Sequence, residues 1–115
     1  MSVLFAGIPV GRFQEACLWY ERLLGRGPDM RPNDIEAAWK IEDSAWLYVI
    51  ADADRAGKAL LTVIIDDLDA FSADLAGRGL QPAEIEEEPG NYRKAIFRDP
   101  EGNTLGFGQV FTQQG

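Results

Sequence analysis

The sequence predicts an α+β fold built from two βαβββ modules, each forming a curved sheet with its helix on the outside. One apolar strand, one amphipathic helix and several short strands follow one another in that order twice along the chain. The tripeptide Gly-Arg-Gly ends both predicted helices, at residues 25–27 and 77–79. The copies are offset by roughly 50–55 residues, which is enough for one supersecondary unit each. Because neither sheet can bury both faces alone, we expect the face opposite each helix to meet a second sheet or to close over a ligand cavity.

The first module begins with an apolar run of strand formers at residues 3–10, which Gly11 closes. Helical spacing follows over residues 13–24, with one apolar stripe formed by Phe13, Ala16, Cys17, Tyr20, Leu23 and Leu24. Gly25 then accepts a left-handed C-cap without the penalty of a Cβ atom. Three further strands are predicted, at residues 29–32, 35–41 and 45–51.

The second module repeats the order with an apolar strand at 60–65 and a helix at 68–76, for which Asp66-Asp67 provides an N-cap. Further strands are predicted at residues 83–88, 92–98 and 104–110. The last two flank the turn Asp99-Pro100-Glu101-Gly102-Asn103, where proline fixes φ and glycine takes the strained position. We expect one domain over residues 1–115, with modules at about 1–54 and 57–115 and a polar link between them.

Composition limits the function classes. The chain has 115 residues, a hydrophobic content of 46% and a charged content of 26%, which are values of one globular domain, and its net charge is −8. The negative charge argues against a nucleic-acid partner. No stretch approaches the ~20 apolar residues that span a bilayer, so we expect no membrane partner. Cys17 is the single cysteine and lies on the apolar stripe, so we expect it in the core of a cytoplasmic protein.

Several residue strings resemble one known superfamily over nearly the whole chain. They are Ile8-Pro9-Val10, Trp19-Tyr20 and Leu23-Leu24-Gly25 in the first module, and residues 63–69, 77–79 and 97–103 in the second. Their order and spacing are similar to those of the glyoxalase/bleomycin-resistance/extradiol-dioxygenase proteins, also called vicinal oxygen chelate proteins. This resemblance implies paired βαβββ modules around a ligand cavity.

The resemblance also implies a divalent metal, held by His and Glu on the inward faces of the first and last strands of each module. Those positions correspond to Phe5, Tyr48, Leu60 and Gly106, and the chain contains no histidine. None of the four suits a hard divalent ion, because even a tyrosine would have to ionise from a pKa near 10. We therefore expect neither a metal nor another cofactor.

Strand alternation predicts which side chains line the cavity. If Phe5 points inward, Trp46 and Tyr48 share its face of the sheet. A strand pairing that sets Trp39 opposite Trp46 also points Trp39 inward. Extension of the repeat to the second module points Arg93 and Phe97 inward as well. The predicted ligand-binding residues are Phe5, Trp39, Trp46, Tyr48, Leu60, Arg93, Phe97 and Gly106. Apolar walls with few polar groups are typical of small-molecule pockets, and indole rings also attract cations. The same aromatic residues could instead fill a core between two sheets.

Three functions remain open on these observations. The resemblance favours a metal-free binding protein of the drug-sequestering, bleomycin-resistance-like branch, which implies a homodimer, an aromatic or cationic small-molecule ligand and a role in antibiotic resistance. A metal-independent isomerase or lyase is the enzymatic alternative, and it would rely on Tyr48, Arg93 or a glutamate at the rim for acid-base chemistry. A structural or regulatory module with a filled cavity is the third.

Overall fold

The computed structural model describes residues 1–111, which form two four-stranded sheets with one helix on each. The first module, residues 4–51, contains β1 (Leu4–Val10), α1 (Phe13–Leu24), β2 (Met30–Asn33), β3 (Glu36–Glu42) and β4 (Ala45–Ala51). The second module, residues 60–110, contains β5 (Leu60–Ile64), α2 (Leu68–Gly77), β6 (Glu84–Glu88), β7 (Tyr92–Arg98) and β8 (Thr104–Val110). A single 3-10 turn, Ala53–Arg55, lies in the polar link.

The strand orders confirm the predicted fold class. The sheets run β1-β4-β3-β2 and β5-β8-β7-β6, so each module has the same topology. In each sheet the first and last strands of the module pair in parallel, and the other pairs are antiparallel. The chain is therefore an α+β protein with a pair of βαβββ modules.

Both helices begin and end as their sequences predict. Helix α1 buries the stripe Ala16, Cys17, Tyr20 and Leu23 and ends at Gly25, whose φ is 80°. Helix α2 begins at Asp67, whose side chain accepts a hydrogen bond of 3.0 Å from the Ala70 N–H. Burial raises the pKa of the Cys17 thiol, in keeping with its predicted place in the core. Neither helix within residues 1–111 is long and apolar enough to cross a membrane.

The helix-covered faces of the two sheets share one core. Buried side chains from both modules belong to a single cluster that includes Ile8, Tyr20, Trp39, Val49, Leu75, Phe97, Leu105 and Phe107. The Asp99–Asn103 turn completes this contact, because the Tyr20 hydroxyl donates a hydrogen bond of 2.8 Å to Asp99 Oδ2. Asn103 Nδ2 likewise donates to the Pro9 carbonyl at 2.9 Å. The modules are thus joined through their helix sides.

Charged side chains secure the same junction at the helix ends. The Glu101 carboxylate accepts hydrogen bonds from the backbone N–H groups of Gly11, at 2.6 Å, and Arg12, at 2.8 Å, where α1 begins. At the other end, the Arg22 guanidinium donates to the Arg78 carbonyl, and the Arg78 guanidinium donates to the Arg22 carbonyl. Each arginine therefore satisfies carbonyl groups at the C-terminus of the other helix.

Candidate functional site

Each sheet presents its second face, opposite its helix, to the outside. We call this outer face of β1 and β4 the first open face. Its residues lie opposite one another in the register of the two strands and are Phe5, Gly7, Pro9, Trp46, Tyr48 and Ile50. The second open face, on β5, β8 and β7, carries Leu60, Thr62, Ile64, Tyr92, Lys94, Gly106, Gly108 and Val110. Paired residues lie on the same side of a sheet, so these two sets define the surfaces available to a ligand.

Three aromatic rings form a platform on the first open face. The rings of Phe5 and Trp46 stack with centroids 5.4 Å apart and an interplanar angle of 14°. The Tyr48 ring lies beside them, and its centroid is 6.3 Å from that of the Phe5 ring. It also covers Gly7, where a Cβ atom would lie only 2.7 Å from Tyr48 Cζ. Glycine at this position therefore allows the tyrosine to lie against the sheet.

Two hollows meet at Tyr48. One, of about 490 Å³, extends from Gly7, Pro9, Tyr48 and Ile50 to the polar link, where its wall contains Asp52, Asp54, Arg55, Lys58 and Ala59. Asp52 forms an ion pair there with Arg55, because its Oδ2 lies 2.8 Å from Arg55 Nε. The other hollow, of about 230 Å³, lies over Phe5, Met30, Pro32, Glu36, Ala38 and Tyr48. Tyr48 thus borders a hollow with several charged side chains on one side, and on the other a hollow whose charged lining residue is Glu36.

The second open face contains a hollow of about 530 Å³ with mostly apolar walls. Its lining residues are Thr62, Ile64, Asn91, Tyr92, Lys94, Gly108, Gln109, Val110 and Phe111. Leu60 lies on this face but is 79% exposed, so the part of the chain that the structure describes leaves most of it uncovered. Gly106 lies beneath the Lys94 side chain, with Lys94 Cδ 2.9 Å from where a Cβ atom would be.

The predicted inward orientation of Trp39 is wrong. The strands pair one residue away from the predicted register, so Trp39 lies opposite Leu47, and Lys40 lies opposite Trp46. A shift of one residue moves a side chain to the other face of a sheet. Trp39 is fully buried against α1, where its Nε1 donates a hydrogen bond of 2.9 Å to the Arg26 carbonyl.

The predicted orientations of Arg93 and Phe97 are wrong for a related reason. The five-residue turn sets Arg98 opposite Thr104, which places Phe97 opposite Leu105 on the helix side. Phe97 is 2% exposed and packs against Phe107, and Arg93 forms an ion pair with Asp69 of α2. The alternate residues Tyr92, Lys94 and Ile96 lie on the open side instead. The length of the turn was a signal in the sequence that could have identified Lys94.

The residues at the family's metal positions do not fit a metal. Phe5, Tyr48, Leu60 and Gly106 all lie on the open faces, as predicted, but only Tyr48 carries a donor atom. Among residues 1–111, no three His, Cys, Asp or Glu side chains are grouped to hold an ion. A divalent ion at these positions would have one phenol oxygen as its side-chain ligand, whereas stable sites use several.

The buried tyrosine–carboxylate pair lies away from the open faces. Burial, followed by the charge of Asp99, raises the pKa of Tyr20 far above its usual value. Asp99 also accepts hydrogen bonds from Asn103 and from the backbone of the turn. Since this pair lies on the helix side of the sheets and its members satisfy one another, its place in the molecule is structural.

Solved structures share this fold, and one of them is similar enough in sequence to identify the family. The chain is 38% identical to a glyoxalase/bleomycin resistance protein from Catenulispora acidiphila DSM 44928, covering 96% of this chain and 99% of that one, with a TM-score of 0.92. A bleomycin-binding protein complexed with bleomycin is 22% identical over 95% and 98% of the two chains, with a TM-score of 0.75.

TnmS3, an antibiotic-binding protein from Streptomyces sp. CB03234, is 23% identical over 96% of each chain, with a TM-score of 0.73. No protein-family model and no curated protein sequence matches the chain. The likeness to the Catenulispora protein extends over nearly the full length of both chains, and the strand orders agree with this fold. The chain belongs to the glyoxalase/bleomycin resistance protein family.

Proposed function

We propose that this chain is a metal-free small-molecule binding protein of the bleomycin-resistance-like branch, which sequesters a planar aromatic ligand. The observation that carries this proposal is the aromatic platform of Phe5, Trp46 and Tyr48 on an otherwise uncovered sheet face. Flat ligands stack favourably on such rings, and the indole face would also accept a cationic group. Two proteins of the same fold, a bleomycin-binding protein and an antibiotic-binding protein, support this branch.

The proposal includes a homodimer in which a second copy covers the open faces. Phe5 is 46% exposed, Leu60 79%, Ile64 61% and Val110 54% in the single chain. Monomeric proteins rarely expose apolar surface in such contiguous patches. The modules of one chain are joined through their helix sides, so their open faces do not cover each other. A second copy offers the same apolar residues and would turn each open face into one wall of a groove.

Binding without catalysis is the function that the side chains support best. The metal positions offer one phenol oxygen, which supports a metal-free site. Arg93, a candidate acid-base group of the enzymatic alternative, pairs with Asp69 on the helix side. Stoichiometric capture requires only a fitting groove, and we propose that it takes place in the cytoplasm, where a single cysteine stays reduced.

Calorimetric titration with compounds that carry a flat aromatic group tests this function. The probes are metal-free bleomycin and two naphthalene compounds, 2-naphthoate and 2-naphthylmethylammonium. We expect saturable binding of at least one probe, and an affinity about 10-fold or more lower in Trp46→Ala, because the stacking surface is lost. Trp19→Ala is the matched control, since Trp19 lies on α1 beside Tyr20. The absence of saturable binding by all three probes would contradict the proposal.

A further inference from the structure

Lys94 lies in the centre of the second open face, in a chain whose net charge is −8. It is opposite Gly108 in the register of β7 and β8, and its stem extends over Gly106. A Cβ atom at Gly106 would lie 2.9 Å from Lys94 Cδ, and a Cβ atom at Gly108 would lie 3.7 Å from Lys94 Cγ. Glycine at position 106 therefore allows the lysine stem to lie along the sheet instead of extending into solvent.

The ammonium group at the end of this stem is incompletely satisfied by the protein. Its Nζ lies 3.5 Å from Glu86 Oε1, which is too long for a strong charge-assisted hydrogen bond. Among residues 1–111, this carboxylate is the only ion-pair partner of Lys94, and it is itself 44% exposed. The Lys94 side chain is 27% exposed, which fits a lysine whose stem is buried while its charged head stays accessible. The N–H donors that do not face Glu86 are therefore available to an incoming oxygen.

The surroundings of Lys94 favour a ligand that combines a flat apolar body with an acidic group. The hollow beside it is lined by Ile64, Tyr92 and Val110, which present apolar surface to the body of a ligand. Thr62 also lines the hollow, and its hydroxyl gives a second polar contact on the same wall. An ion pair strengthens where apolar walls exclude water, so a ligand anion here would gain more than one on the surface.

We propose that Lys94 is a specificity-determining residue that binds an acidic oxygen of the ligand, such as a carboxylate or phenolate oxygen. The inference rests on the proposed binding function and adds the charge of the ligand to it. The ligand oxygen replaces water around Nζ, and its aromatic body lies in the hollow beside Lys94. A purely cationic ligand would lack this contact with Lys94.

Titration with a matched pair of probes tests the charge preference. The probes are 2-naphthoate and 2-naphthylmethylammonium, which share one ring system and differ in the sign of their charge. We expect the wild-type protein to bind the carboxylate about 10-fold more tightly than the ammonium compound, as one charge-assisted contact provides. Lys94→Met keeps the stem over Gly106 but removes the charge, and it abolishes this preference. Lys94→Arg keeps a cation and retains the preference.

Arg12→Met is the control, because it makes the same change in net charge at a side chain that is 77% exposed at the start of α1. It leaves the preference unchanged. Binding of both compounds without a charge preference in the wild type, or an unchanged preference in Lys94→Met, overturns the role of Lys94 and leaves the binding function standing. Failure of both naphthalene compounds and of bleomycin to bind overturns the binding function together with it.

Discussion

The Tyr20 hydroxyl and the Asp99 carboxylate form a hydrogen bond of 2.8 Å that joins α1 of the first module to the β7–β8 turn of the second. Both residues are buried, with exposed fractions of 0% and 4%. The bond fixes the helix sides of the two modules against each other, and this arrangement leaves the opposite faces of both sheets uncovered. The position of the binding surfaces thus depends on a contact that lies outside them.

Removal of this bond is expected to destabilise the chain. Tyr20→Phe leaves Asp99 with one donor fewer in a buried position, which costs about 1–3 kcal/mol of unfolding free energy. Urea denaturation measures the loss. Tyr92→Phe, which removes a hydroxyl from the second open face, is the control and should change the free energy of unfolding by much less. Equal stability of Tyr20→Phe and the wild type would show that the bond contributes little.

The substitution Gly7→Ala is expected to lower the affinity for the ligand more than it lowers the thermal stability of the protein. Its Cβ atom would lie 2.7 Å from Tyr48 Cζ, so the tyrosine ring must leave the sheet and the platform loses its shape. Gly77→Ala is the matched control, because a Cβ there meets nothing within 4 Å. Titration with the naphthalene probes and a thermal melt separate the two effects. Unchanged affinity in Gly7→Ala would mean that Tyr48 does not shape the site.

A charge on the second open face is expected to separate the proposed homodimer. Leu60 is 79% exposed in the single chain, and Leu60→Glu would bury a carboxylate between two copies. Leu18→Glu makes the same change at a leucine that is 63% exposed on α1. Analytical ultracentrifugation should show a monomer for the first variant and a dimer for the second. A dimer in Leu60→Glu, or a monomer in the wild type, contradicts the proposed interface.

The two tryptophans that were both predicted to line the cavity are expected to behave differently. Trp39→Phe creates a void in the core and removes the hydrogen bond to Arg26, so we expect a loss of stability of about 1–3 kcal/mol with unchanged affinity. Trp46→Phe keeps a ring on the platform and should leave both stability and affinity near wild type. Chemical denaturation and probe titration of both variants check this contrast. Weaker binding in Trp39→Phe would place that residue near the ligand after all.

Local signals in the sequence were sufficient to predict the helices and strands, but not to predict on which face of the sheet every side chain lies. The strand Ala45–Ala51 and the helix Phe13–Leu24 lie where their apolar spacing predicted them, because that spacing reflects local burial. The orientation of Trp39 depends on which residue of β4 lies opposite, and a bulge near the Glu42 turn changes that register by one residue. Pattern alone does not determine a bulge.

The junction between the modules could not be predicted from the sequence. Tyr20 and Asp99 are 79 residues apart, and each is an ordinary member of its own element. Their contact depends on how two finished modules pack together. Lys94 was missed because extension of the repeat to the second module placed Arg93 and Phe97 on the open side, whereas the turn between Arg98 and Thr104 requires the opposite assignment.

Native mass spectrometry of the protein, with and without 2-naphthoate, tests the central claim most directly. It reports the number of chains, any bound metal and any bound small molecule in one spectrum. We predict a species with twice the mass of the chain and no metal, which takes up the naphthalene compound in a saturable manner. A stoichiometric metal ion, or a metal-free species that takes up none of the three probes when 2-naphthylmethylammonium and metal-free bleomycin are added in the same way, would contradict the account of a metal-free binding protein.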